Sequence, residues 1–447
     1  MRRLLPLALL ALAACQARAP EGPPPPVSAP VTAGMAYAWA RFDARGVRAA
    51  DASGIADRRS GRAITVEDPA RWASVSKLVV ALGVMRLVEA GRVDLDADVS
   101  AALGWQLRNP AFPDVPITLR MMLSHTSGLQ DAGEAYVIPL GSTVRGAVAN
   151  PDVFDRAHRP GTYFRYANLN FPVVASALER ITGERFDRLM HRLVAAPLGL
   201  DACFNWTMCS DAKIARAVTL YRADGSVALD DLQGRRPSCP VFRRGEGCDL
   251  TSYRLGDNGA LFSPQGGFRA SVSDMAVIGR MLLNGGRHGS TRFLREASVD
   301  AILRPAWTYD GSNGETDGGF YCAYGLAAQI LPTATPGCRD DLFGDGRRAF
   351  GHAGEAYNLR SGLWIDRARG IGIAFFAAGN PAPQPPGRSA FTRIEEWLAA
   401  RILAQPPRAS QSGSVSSPIS ASTSRRGRTT AQRSPSTSTS GASGREL

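Results

Sequence analysis

Strand-like alternation opens this chain near residue 40 and closes it near residue 370, and the simplest architecture joins both ends in one sheet. Residues 34–42 and 47–57 read as a strand pair with Gly46 at the turn. Residues 358–366 and 370–378 alternate in the same way through Arg367-Ala368-Arg369, and 390–403 is a closing helix carrying Trp397 inward. Between these ends the pattern is helical. Residues 78–89 are apolar on most sides and stop at Ala90-Gly91, which is the signature of a buried helix. Amphipathic runs follow at 173–181 and 275–283. The expected fold is therefore α/β of the α+β type. An antiparallel sheet built from both chain ends carries flanking helices, and a mostly helical lobe spans about 95–285. A cleft between sheet and lobe is the expected place for a site.

The ends of the chain are of a different kind. Arg2 and Arg3 precede the apolar Leu4 to Leu12, a stretch too short to span a bilayer. Leu12-Ala13-Ala14-Cys15 then has the form of a lipobox, so 1–14 reads as a lipoprotein signal, Cys15 as the lipidated residue and 15–33 as a Pro-rich tether. Residues 404–447 are rich in Ser, Thr, Arg, Gly and Pro with almost no large apolar residue, and cannot bury enough surface to order themselves. The globular part is 34–403. Net charge is +12, but six arginines sit in 405–447 against Glu446, and the body has no basic run. Nucleic acid is not an expected partner. The expected partners are a small-molecule or peptide acyl substrate and a membrane reached through the lipid, on the periplasmic face, with the protein a monomer.

Beyond Cys15 there are six cysteines, an even number that reads as disulfides in an exported chain. Their local spacing suggests 203–209, 239–248 and 322–338. Zinc is disfavoured because no CxxC occurs and the five histidines do not flank the cysteines at ligand spacing. No metal or other cofactor is expected.

The chain has two lysines against fifty arginines, so each lysine invites the question of what arginine cannot do there. A buried amine can lose its proton, whereas guanidinium cannot. Lys77 sits one helical turn after Ser74 at the start of the buried run, in Ala73-Ser74-Val75-Ser76-Lys77. A desolvated amine there can take the serine proton, and the helix N-terminus supplies donors for an oxyanion. The other lysine also lies in an SxxK, Ser210-Asp211-Ala212-Lys213, but no buried helix follows it. That second pair reads as a surface coincidence.

Ser74-x-x-Lys77, Tyr166-Ala167-Asn168 and His352-Ala353-Gly354 occur in the order of the three motifs of serine β-lactamases and penicillin-binding proteins, which the chain resembles over about 34–403. Tyr-x-Asn is similar to the class C branch, with its DD-peptidase, esterase and D-aminopeptidase relatives. Residues 117–129, Pro160-Gly161 and 266–271 agree with that branch. The resemblance implies a β-lactamase/transpeptidase-like fold and a set of roles. Ser74 is the acylated nucleophile, with Lys77 and Tyr166 its proton-transfer partners. Asn168 binds the substrate amide, and the N–H groups of Ser74 and Glu355, beside Gly354, form the oxyanion hole. His352 stands where many members have lysine, which offers a substrate carboxylate only a partial cation. His125 is expected to be structural. The expected function is ester or amide hydrolysis through an acyl-enzyme, of esterase, D-amino-acid peptidase or DD-carboxypeptidase type. Hydrolysis of β-lactam rings is the first alternative, and a non-catalytic binding lipoprotein of the same fold the second.

Overall fold

The computed structural model describes residues 30–31, 34–245 and 247–405. The signal, Cys15 and the tail beyond 405 lie outside the described residues.

Eleven strands frame the site. In chain order they are β1 (Ala36–Asp43), β2 (Val47–Ser53), β3 (Ala70–Arg71), β4 (Cys203–Phe204), β5 (Phe268–Ala270), β6 (Trp307–Thr308), β7 (Ala323–Tyr324), β8 (Gln329–Leu331), β9 (Ala349–Ala356), β10 (Leu359–Asp366) and β11 (Ile371–Ala378). The main sheet runs β6-β7-β8-β9-β10-β11-β1-β2, and β3-β5-β4 form a small separate sheet. Antiparallel pairing of β1 with β11, from Ala36 opposite Ala378 to Asp43 opposite Ile371, joins the two chain ends as the patterning required. The strand expected over 47–57 breaks at Gly54, whose φ of 105° suits glycine, and Ile55–Asp57 turns away to pair with Arg62–Ala63.

Four helices matter here: α1 (Val75–Glu89), α2 (Asn170–Thr182), α3 (Val272–Leu283) and α4 (Arg393–Ala404). Twelve of the fifteen α1 residues are buried, which is why the run is apolar all round. Helices α1 and α3 share one core with Phe42, Leu363 and Phe376 of the sheet. On the opposite face Ile394, Trp397 and Leu398 of α4 pack with Trp39, Trp364 and Phe375. Trp397 meets Tyr37 edge-on at 5.6 Å. The period-2 alternation of the strands thus feeds two cores at once.

The cysteines pair as 203–209, 239–248 and 322–338. The last pair anchors the segment before β7, which carries Tyr321 into the cleft. Among the described residues no helix is long and apolar enough to cross a membrane.

Candidate active site

Ser74 occupies the N-cap of α1, a position where serine ordinarily bonds a backbone N–H of the first turn. Here it makes no such cap, so the hydroxyl is left for other partners. The turn that presents it is held on both sides. Ala73 adopts a left-handed φ of 43°, which costs an L-residue roughly 1–2 kcal/mol. Trp72 is fully buried, its indole N–H donating to the Ala270 carbonyl at 2.8 Å. Ser361 Oγ donates to the Trp72 carbonyl at 3.0 Å, and the Phe268 N–H donates to Ser76 Oγ at 3.0 Å. The strain at Ala73 is sustained by these contacts.

Lys77 is fully buried one turn further on. Its Nζ lies 2.9 Å from Ser74 Oγ, 2.8 Å from Asn168 Oδ1 and 2.8 Å from the Gln265 carbonyl. Burial, opposed by Asp131 and reinforced by the Arg71 charge, pushes the amine down to about 7. Near neutral pH it therefore exists in both protonation states, as a proton acceptor must.

Asn168 is oriented by Asp131. The carboxylate accepts from the Asn168 Nδ2 at 2.9 Å and from the N–H groups of Asn168 and Leu169 at 2.8 and 2.9 Å. With the amide nitrogen held there, Oδ1 is turned toward Lys77. Neither Asp131 nor Gln265 announces itself in the sequence, although Gln265 directly precedes the recognisable 266–271 stretch.

Tyr166 is clamped between two rings, His125 at 4.3 Å and Tyr321 at 4.6 Å, both stacked. Its hydroxyl is buried and makes no hydrogen bond of good geometry among the described residues, yet the Ser74 and Tyr321 hydroxyls are near enough to act on it. Desolvation raises the phenol well above its ordinary value, so it rests neutral as a proton donor. His125 is fully buried and accepts the Ala167 N–H on Nδ1 at 3.0 Å, which suits the structural part expected of it.

Strand β9 completes the pocket. A Cβ on Gly354 would stand 2.3 Å from Ser361 Oγ and 2.6 Å from the Trp72 carbonyl, so only glycine lets β9 pass this close to the nucleophile turn. In an antiparallel ladder, N–H groups alternate between the two edges. The Ala353 N–H donates to Gln329 Oε1 at 2.8 Å, on the edge away from β10. The Glu355 N–H emerges on that same edge, where β8 has already ended, facing the cleft beside Ser74. The N–H groups of Val75, Ser76 and Lys77 are taken by the Trp72, Ala73 and Ser74 carbonyls at 3.0–3.1 Å, which leaves the Ser74 N–H, at the start of the helix, to join that of Glu355 as an oxyanion donor.

The expectation for His352 needs correction. The side chain is fully buried and does not line the cleft. Its Nδ1 faces the Ala353 carbonyl and its Nε2 lies 2.6 Å from the Tyr324 hydroxyl, partners that suit a neutral ring with its proton on Nδ1. Burial, followed by the Lys77 charge, lowers it to about 3. No cation is offered to substrate from this position. The Glu355 carboxylate is ion-paired to Arg360 at 2.7 Å.

The second SxxK is built differently. Ser210 is exposed and its Oγ caps its own helix, accepting the Lys213 N–H at 3.1 Å. The Lys213 amine is ion-paired to Asp274 at 2.7 Å. That amine also donates to Ser271 Oγ at 3.2 Å, while the Ser210 hydroxyl donates to Asp201, so serine and lysine of this motif are turned to different partners.

Around Ser74, Tyr166 and Asn168 opens a cleft of about 680 Å³. A family model described as Beta-lactamase matches residues 28–395. Esterase EstB of Burkholderia gladioli is 34% identical over 170 residues, covering 34% of this chain and 42% of the esterase. Monacolin J acid methylbutanoyltransferase of Aspergillus terreus is 28% identical over 270 residues, covering 54% and 58%. The chain thus spans about half the length of these curated relatives. Among solved structures, EstCE1, a hydrolase with promiscuous acyltransferase activity, superposes with a TM-score of 0.58 at 23% identity over 82% of this chain and 93% of its own.

Proposed function

This chain belongs to the beta-lactamase family, and on that premise we propose that it is a serine hydrolase cleaving esters or amides through an acyl-enzyme on Ser74. The contact that carries the proposal is the sealed Lys77 amine, 2.9 Å from Ser74 Oγ. As Oγ attacks the carbonyl carbon, its proton passes to neutral Lys77. The oxyanion meets the N–H groups of Ser74 and Glu355, each such donor contributing about 3 kcal/mol in comparable sites. The bond to the leaving group breaks as that group takes a proton from Tyr166, and Tyr166 is replenished from the lysine. Water then enters where the leaving group was and repeats the sequence in reverse roles. The Tyr-x-Asn motif supports the class C branch within the family.

Charge supports an uncharged leaving group. The cleft beside Tyr166 is lined by Glu315, Asp317 and Glu355; Arg360 holds Glu355 and Arg165 holds Glu315, which leaves Asp317 as the carboxylate without an ion pair among the described residues. A β-lactam or a D-Ala-D-Ala peptide carries a carboxylate on its leaving side, and an ester alcohol does not. The test is one panel at pH 7.5: a short-chain nitrophenyl ester, a chromogenic cephalosporin and a D-Ala-D-Ala peptide. Ester cleavage should exceed the other two in kcat/KM. Faster cephalosporin turnover would make a working β-lactamase the better reading.

Export and lipid anchoring on the periplasmic face are part of the same proposal. They are supported by the Arg2-Arg3 start, the lipobox ending at Cys15 and three disulfides, which persist in oxidising compartments. Labelled lipid should appear on the chain in cells and vanish with Cys15→Ser. An unlipidated mature protein beginning elsewhere would rule the anchor out.

A further inference from the structure

On the side of Ser74 away from Tyr166 the cleft continues into a chamber of about 310 Å³ and then one of about 640 Å³. The two share Arg71, Glu134, Tyr136, Gln265 and Tyr357, so they form one passage that starts at the nucleophile.

Arg71 is the feature of this passage that the chemistry above leaves unused. It lies on β3, three residues before Ser74, with its guanidinium over the Tyr357 ring at 5.3 Å. A Cβ on Gly266 would stand 3.6 Å from its terminal nitrogen, which puts the fork beside the segment that holds Lys77. Its Nε is sealed from solvent and has no hydrogen-bond partner among the described residues. The nearby carboxylate is already taken: Asp230 holds Arg269 through contacts of 3.1 and 3.0 Å and accepts the Trp206 indole N–H at 2.8 Å. Burial first, and the Arg269 charge second, lower the proton affinity of Arg71. A guanidinium nonetheless stays charged, and an uncompensated cation in a half-buried passage is unfavourable until an anion meets it. Glu134 is exposed and makes no ion pair with it among the described residues.

We infer that this passage receives the acyl portion of the substrate and binds a carboxylate on it through Arg71. The inference rests on the acyl-enzyme reading above, because it takes its direction from Tyr166. That phenol lines only the opposite arm, so the leaving group departs there and the acyl chain lies on the Arg71 side. The planar fork of arginine matches a carboxylate with two parallel hydrogen bonds. The substrate class is then a half-ester or half-amide of a dicarboxylic acid with an uncharged leaving group.

The experiment compares mono-4-nitrophenyl adipate with 4-nitrophenyl hexanoate, which share a six-carbon acyl chain and differ in the distal carboxylate. The wild-type protein should favour the adipate ester in kcat/KM by about tenfold or more, the scale of one charge-assisted pair. Arg71→Gln should collapse that ratio and Arg71→Lys should keep part of it. A wild-type ratio of one or below, or a ratio unchanged in Arg71→Gln, overturns the inference. A second measurement needs neither turnover nor a variant: adipate should protect Ser74 from a fluorophosphonate better than adipamide does. Absence of any labelling at Ser74 would count against the hydrolase itself. Labelling that both compounds slow equally counts against Arg71 alone.

Discussion

Ser74→Ala is expected to lower turnover of any substrate the panel identifies by about 10⁴-fold or more, because losing a covalent nucleophile leaves only binding and oxyanion stabilisation. The substitution removes one oxygen from a turn whose shape is set by other groups, namely the buried Trp72, the Ser361 hydrogen bond and the packed α1. The protein should therefore fold with near-unchanged thermal stability, and the loss should appear in kcat. Ser210→Ala is the matched control. That serine caps a four-residue helix at the surface, so its removal costs about 1 kcal/mol locally and should leave the rate within about threefold. Equal losses from the two variants would mean that the nucleophile had been placed in the wrong SxxK.

The contrast between those two motifs also marks how far the sequence could be read. The SxxK spacing puts serine and lysine on one face in both, yet only the run after Ser74 is apolar enough to bury its amine. The strand pairs at both ends and the buried helix were legible because alternation and all-round apolarity are local patterns. Strand β9 was not, since its sequence Ala-Phe-Gly-His-Ala-Gly-Glu-Ala is short of large apolar residues and shows no clean alternation. Its place in the site came only from resemblance to a family motif. His352 shows the limit of that route. A motif position says which strand a residue is on, whereas its charge depends on Tyr324, contributed from 28 residues away, and on complete burial. Asp131 lies 37 residues from Asn168 and gives no local sign that it fixes that amide. Arg71 stood in plain view beside the nucleophile. What could not be read is that Asp230 is committed to Arg269, which leaves Arg71 without a counter-ion among the described residues.

Lys77→Arg should fold and lose at least about 10²-fold in rate, the usual scale for a missing general base. Arginine keeps the positive charge and can reach the acceptors that hold the amine now, Ser74 Oγ, Asn168 Oδ1 and the Gln265 carbonyl. It cannot give up a proton, so the two variants separate electrostatics from proton transfer. The pH profile makes the assignment sharper. With the amine lowered to about 7, the wild-type rate should climb as pH rises through that value and be lost below it, where the lysine is protonated. Tyr166 cannot supply that limb, because its phenol is raised far above neutrality, and His352 at about 3 lies too low. Stability should follow the same sign. The folded amine binds its proton less tightly than the unfolded one, so between about 7 and 10.5 the unfolded chain carries more protons and the fold gains stability with rising pH. In the arginine variant both dependences should disappear. Residual activity that still rises through pH 7 would mean that another group accepts the serine proton and that Lys77 contributes charge alone.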